Sequence, residues 1–148
     1  MKRKISMGIP LYARSYVGRG NAPGDERPQP YSGYEICEYD KLPWSDNIEC
    51  FDETAKAAYI QIDRGSNRHE FISYDSPDSV RFKGEYVRDN GLAGLFYVYG
   101  SNDCFGNLRW RSLILAGYKA LHPERPAGHV AGQETQQAQS VQVVQPQL

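Results

Sequence analysis

Tyr12 and Arg14 stand two residues apart in the stretch MGIPLYARSY, Met7 to Tyr16. Side chains alternate along extended backbone, so a tyrosine and an arginine at this spacing project to the same side. A phenol and a guanidinium presented together just past a buried strand have the chemistry of a ligand contact. The segment before them, Ile5 to Ile9, is apolar with a glycine in it and reads as that strand. Pro10 cannot donate to a sheet ladder, so the strand is expected to end near it. On these residues alone, a strand end carrying one aromatic and one solvated charge is the commoner explanation.

Other candidate chemistry is thinner. His69, Ser73 and Asp75 are close in sequence, but a Ser–His–Asp arrangement is defined by geometry, and polar positions on a half-exposed strand account for them. Cys37, Cys50 and Cys104 form an odd, widely spaced set without a C-x-x-C. None of the three histidines is spaced with a cysteine as in a zinc site, so neither a metal nor a cofactor is expected. Free, buried or half-buried thiols are the simpler reading, while a Cys37–Cys50 pair stays open for a secreted chain. Lys and Arg total 17 against 18 Asp and Glu, a net charge of −1, which gives nucleic acid no basic face to bind. No apolar run is long enough to span a bilayer. The start, MKRKISMGIP, is basic but reaches Pro10 too soon for a signal peptide.

The elements that must position these residues follow along the chain. VGRGNAPGDERPQPYSGY is rich in Gly and Pro and reads as a loop. YEICEYDKL, Tyr34 to Leu42, is expected to be a short helix ended by Pro43. AAYIQID and HEFISY flank RGSN, a hairpin signal, within two or three strands of a small antiparallel sheet. Ser76 can cap the next helix, with Pro77 at its first position and Asp78 at the positive end of its dipole. Val80, Gly84 and Val87 share one face of that helix, which stops at Asn90-Gly91. Leu92 to Tyr99 is a continuous apolar strand, and Leu108 to Leu121 a final helix with Trp110 in the core. Trp44, Tyr31 and Tyr34 are candidates for a groove rim or for packing. From His122 the chain is Gln-rich and nearly free of aromatics, which predicts disorder. The order is strand, inserted sheet, helix, buried strand, helix, so the two apolar strands should be parallel with helices outside.

Taken together, the motifs KISMGIPLYARSY, PYSG with YEICEYDKLP, and FISYDSPDSVRFKGEYVRDNGLAGLFYV resemble the C-terminal part of family 18 glycoside hydrolases, the chitinases, particularly the fungal secreted type. The resemblance covers roughly Lys4 to Ala120. It implies an α/β fold, the last two strand–helix units of a TIM (β/α)8 barrel, with a small α+β insertion between strand 7 and helix 7 and the barrel incomplete. The boundaries expected are 1–16 for the penultimate strand and its loop and 17–75 for the insertion. Helix, last strand and final helix then occupy 76–121, and a tail 122–148. The resemblance also implies that Tyr12 and Arg14 contact N-acetylglucosamine units, by the ring and by the guanidinium donor fork. Val98 aligns with the tryptophan that the family keeps under the distorted sugar, with Tyr97 and Tyr99 alongside. Losing that platform costs stacking of about 1 kcal/mol or more. Asn102 and Asp103 follow the last strand, at the face where barrel enzymes keep their sites, with no specific role.

Family chemistry uses a glutamic acid and the substrate's own acetamido group, supported by an aspartate. Their motif, D-x-x-D-x-D-x-E, does not occur in the 148 residues; DNIECFDE and EICEYD lack the spacing. No catalytic residue is therefore assigned, and this chain alone is expected to be inactive. The partner expected is chitin or a chito-oligosaccharide, with no nucleic acid and no membrane, and with a missing N-terminal barrel portion as a further candidate. Alternatives are a non-catalytic chito-oligosaccharide-binding protein and a non-functional gene fragment. Family resemblance implies an extracellular location.

Overall fold

Pro10 ends one strand, and a second begins only two residues later. The computed structural model describes residues 4–18, 32–45, 48–65, 69–123 and 142–144. The elements are β1 (Ser6–Pro10), β2 (Tyr12–Gly18), β3 (Ser32–Glu38), β4 (Glu49–Asp52), β5 (Ala57–Asp63), β6 (His69–Tyr74), α1 (Pro77–Asp89), β7 (Gly94–Val98), α2 (Leu113–Leu121) and β8 (Gln142–Val144).

β1 and β7 pair in parallel, from Ser6 against Gly94 to Pro10 against Val98. α1 returns the chain between them, as the sequence pattern predicts. The N-cap is Ser76, whose Oγ accepts from Ser79 N at 3.2 Å, and Val80, Gly84 and Val87 form the buried face. Gly91, at φ 61°, follows the helix in the left-handed region that favours glycine. On β7, Leu95 and Tyr97 are buried toward the helices, while Phe96 points to the opposite face and lies over Gly8. A Cβ at Gly8 would stand 2.8 Å from the Phe96 ring, so a side chain at position 8 would displace that ring.

Five antiparallel strands form the second sheet, in the order β3-β2-β6-β5-β4. The β5–β6 hairpin pairs as the RGSN signal predicts, from Ala58 against Tyr74 to Asp63 against His69. Both sheets share one core, in which Ile9, Leu11, Ala13, Tyr39, Ile60, Val80 and Leu113 are fully buried. Backbone bonds from Leu11 N to Val98 O (3.0 Å) and from Tyr39 N to Leu11 O (3.3 Å) join them at the corner where β1 passes into β2.

Several expectations need correction. YEICEYDKL is not a helix: Tyr34 to Glu38 belong to β3, which pairs with β2, and a single 3-10 turn, Tyr39–Lys41, follows. An edge offered by β2 outweighs a weak local helix preference, because strand formation is decided by pairing partners. The inserted sheet begins at Tyr12 rather than residue 17, since β2 is one of its strands. α2 begins at Leu113, not Leu108, because a 3-10 segment at Gly106–Arg111 precedes it and Ser112 restarts the helix as its cap. Trp110 lies on that segment and is 67% exposed rather than core. Within the tail, Gln142 to Val144 form β8, parallel to β7, where disorder is expected from composition. The rest of the tail and Tyr31 lie outside the described residues.

Candidate functional site

Alternation along β2 separates two kinds of residue. Ala13 and Ser15 are buried, whereas Tyr12, Arg14 and Tyr16 face outward, with Arg14 exposed. These three residues line a cleft of about 460 Å³ together with Pro10, Ser73, Asp75 and Lys83. Arg14 sits opposite Ser73 in the ladder. The buried Asp75 is held by Lys83, whose Nζ donates to both carboxylate oxygens at 2.7 Å.

The end of β7 lies next to Tyr12, beside the residues that line the cleft. Tyr99 adopts φ 60°, ψ 53°, a left-handed conformation that is uncommon for a residue with a side chain. Its ring meets that of Tyr12 edge to face, with centroids 5.8 Å apart and planes at 82°. Val98 is half-buried at the last position of β7, and its carbonyl accepts the bond from Leu11 N. Tyr97 is corrected as a site residue. It is 2% exposed and points into the helix layer, where its hydroxyl approaches Gly117. Burial, with Asp103 nearby, pushes its pKa up to about 12.

The remaining candidates are placed as follows. His69 and Ser73 lie on one face of β6 but four residues apart, about 13 Å by strand rise, too far for a hydrogen bond. Asp103 is a structural acceptor: its carboxylate takes the Ser112 hydroxyl at 2.6 Å and Leu113 N at 2.8 Å. Cys37, Cys50 and Cys104 are free thiols, and burial followed by Asp103 and Asp40 pushes Cys104 up to about 11. Among the described residues no group of His, Cys, Asp or Glu could hold a metal ion.

Two polar clusters were not legible in the sequence. Arg111 donates to both oxygens of Glu49, at 2.7 and 2.9 Å, and its guanidinium lies 4.3 Å from the ring centres of both Trp44 and Trp110. Tyr39 Oη donates to Arg111 O at 2.8 Å. Trp44 thus packs against Tyr39 and Tyr74 beneath the sheet instead of lining a rim. The second cluster joins Ser15 to Glu70 at 2.5 Å and Arg64 Nε to Glu70 at 2.8 Å. Burial would raise the Glu70 pKa, but the Ser15 hydroxyl and the Arg64 guanidinium outweigh it and hold the carboxyl below its ordinary value.

The fold is thus a parallel strand–helix–strand unit with a small antiparallel sheet inserted between its first strand and its helix, and a cleft runs from Pro10 along β2. Residues 1–103 match the model of the glycosyl hydrolases family 18, and the chain belongs to that family. A probable endochitinase of Orgyia pseudotsugata multicapsid polyhedrosis virus is 35% identical over 103 residues, 63% of this chain and 18% of that protein. The solved structure of a glycoside hydrolase family 18 N-acetylglucosaminidase from Paenibacillus barengoltzii is similar at a TM-score of 0.58 and 29% identity. That match covers 81% of this chain and 34% of the other. A plant class V chitinase mutant from Cycas revoluta, solved in complex with (GlcNAc)3, shares the fold at a TM-score of 0.61 and 22% identity, over 82% of this chain and 34% of its own. The chain spans less than a quarter of the length of the curated relatives it matches.

Proposed function

We propose that this chain is the C-terminal part of a chitinase-type barrel, its last two strand–helix units with the insertion between them, and that its cleft binds N-acetylglucosamine units. The observation that carries the reading is the arrangement of Tyr12 and Arg14 on one cleft wall with the Tyr99 ring set against Tyr12. A sugar ring offers an apolar C–H face to the tyrosines and hydroxyl and acetamido oxygens to the guanidinium donors. Tyr99 supplies an aromatic beside Tyr12 where the family tryptophan is replaced by Val98, one position earlier. The left-handed backbone at Tyr99 supports this role, since strained conformations concentrate at ligand contacts.

The family acid requires D-x-x-D-x-D-x-E, and these 148 residues carry no such motif. The polypeptide therefore holds sugar without cleaving it, and the expected partner besides chito-oligosaccharide is the barrel portion that carries the acid. A non-catalytic chito-oligosaccharide-binding protein is the second reading, favoured by the same missing motif. Family resemblance supports an extracellular site of action. The test is calorimetric titration with chitotetraose, with turnover assayed on the same sample. Binding without turnover is expected, and Tyr12→Ala should weaken it about tenfold, the loss of one ring contact. Turnover by these residues alone would overturn the account of the acid, and undiminished binding by Tyr12→Ala would overturn the site.

A further inference from the structure

β7 has a neighbour on each of its edges, and the two neighbours come from opposite ends of the chain. β1 pairs with one edge over all five residues, Gly94 to Val98. The other edge carries β8, three residues of the tail, in register from Phe96 against Gln142 to Val98 against Val144. All three strands run in the same sense, in the order β1-β7-β8. The outer edge of β1 has no partner strand among the described residues. Without β8, each copy of the chain would therefore present two parallel edges that fit each other, β7 of one copy and β1 of the next. Such a contact is heterologous and propagates from copy to copy into rings or filaments. β8 replaces the β7 edge with a shorter one, and the sequence places Pro146, which has no N–H to donate, two residues beyond its end.

We propose that β8 is an intramolecular cover for the β7 edge, and that the surface it covers is a pairing site for β1 of a second copy of this chain. Recognition of this kind runs through backbone N–H and C=O groups and requires the matching strand sense, which β8 shares with β1. A Gln-rich tail has too few apolar side chains to build a core of its own, yet backbone pairing asks for none. Three residues make few ladder bonds, but tethering to the same chain sets their effective concentration on the order of millimolar. At micromolar protein the tail therefore outcompetes β1 of another copy for the same donors and acceptors. Sugar binding takes no part in this competition, so its test is independent of the cleft.

Amide hydrogen exchange in the full chain reads both edges. Adjacent residues of a strand direct their N–H groups to opposite edges. Val143→Pro/Val144→Pro therefore removes a donor to β7 whichever of the two faces it. Val143→Ile/Val144→Ile keeps both donors and the strand preference as a control. Wild type and both variants are compared at low-micromolar and near-millimolar concentration, and protection of α1 checks the fold. In dilute samples Gly94 to Val98 should exchange about tenfold faster in the proline variant than in wild type or the control. In the concentrated proline variant, β7 should slow toward the wild-type value and Ser6 to Ile9 of β1 should slow with it. Equal β7 exchange in dilute wild type and dilute proline variant would overturn the cover. A proline variant whose β7 stays fast when concentrated, or slows without β1, would overturn the pairing site.

Discussion

Arg111 holds together parts of the chain that are distant in sequence. Its side chain reaches Glu49, 62 residues earlier, while its carbonyl accepts from Tyr39, 72 residues earlier. Burial works against a charged guanidinium, but the Glu49 carboxylate outweighs it and keeps the Arg111 pKa above its ordinary value. Such a pair adds little over an apolar isostere, yet breaking it leaves one charge buried alone, at about 3–5 kcal/mol. Arg111→Met should therefore lower the unfolding free energy measured by urea titration by an amount of that order, with Glu49→Gln comparable. The double variant should lose clearly less than the sum, because neither charge is then stranded. Strict additivity, or a single-variant cost within about 0.5 kcal/mol, the usual range for surface changes, would show the pair to be peripheral. None of this is legible in the sequence, since contacts across 62 residues leave no periodic or spacing signal. Tyr12 and Arg14 are legible because two-residue spacing is itself the geometry of a strand.

Between elements, packing is set by glycines where the helices approach. A Cβ placed on Gly84 of α1 would stand 2.6 Å from Ala120 Cβ on α2. At Gly117 it would stand 2.0 Å from Tyr97 Oη and 2.7 Å from Leu95 Cδ1, so either the helix or the β7 side chains must move. Gly117→Ala should accordingly destabilise by about 1–3 kcal/mol, the usual cost of overfilling a core. Tyr97→Phe removes the nearest atom, so Gly117→Ala/Tyr97→Phe should recover part of the loss in thermal melts. A neutral Gly117→Ala, or a double variant no better than the single one, would mean that this contact is not close-packed. Element by element, legibility follows how local the determining contacts are. α1 is readable because its cap, its buried face and its stop all lie within Ser76 to Gly91. β3 is misread because its partner, β2, lies too far back along the chain for a local reading to include. The start of α2 is misread because Asp103, ten residues before Leu113, supplies the acceptor that opens the helix.

In the whole molecule the two faces of the β1–β7–β8 sheet are not equivalent. Ile9, Leu95 and Tyr97 are buried on the helix side, whereas Gly8, Pro10, Phe96 and Val98 on the other side are only half-buried. A sheet of three parallel strands with one partly open apolar face is unusual, because parallel sheets are normally covered on both faces. β1 has β7 on one side only among the described residues, which leaves a strand edge available as well. Both features, together with Phe105 at 66% exposure and Trp110 at 67%, favour association with further protein surface. The 148-residue polypeptide should therefore show a light-scattering mass that rises with concentration and should enhance the fluorescence of a hydrophobic dye. Supplying a barrel portion that covers the open face should suppress both effects, because it competes for the same edge and the same apolar residues. A concentration-independent monomer, with cooperative unfolding and no dye response, would instead show that the helices and the five-stranded sheet stabilise this unit without further cover.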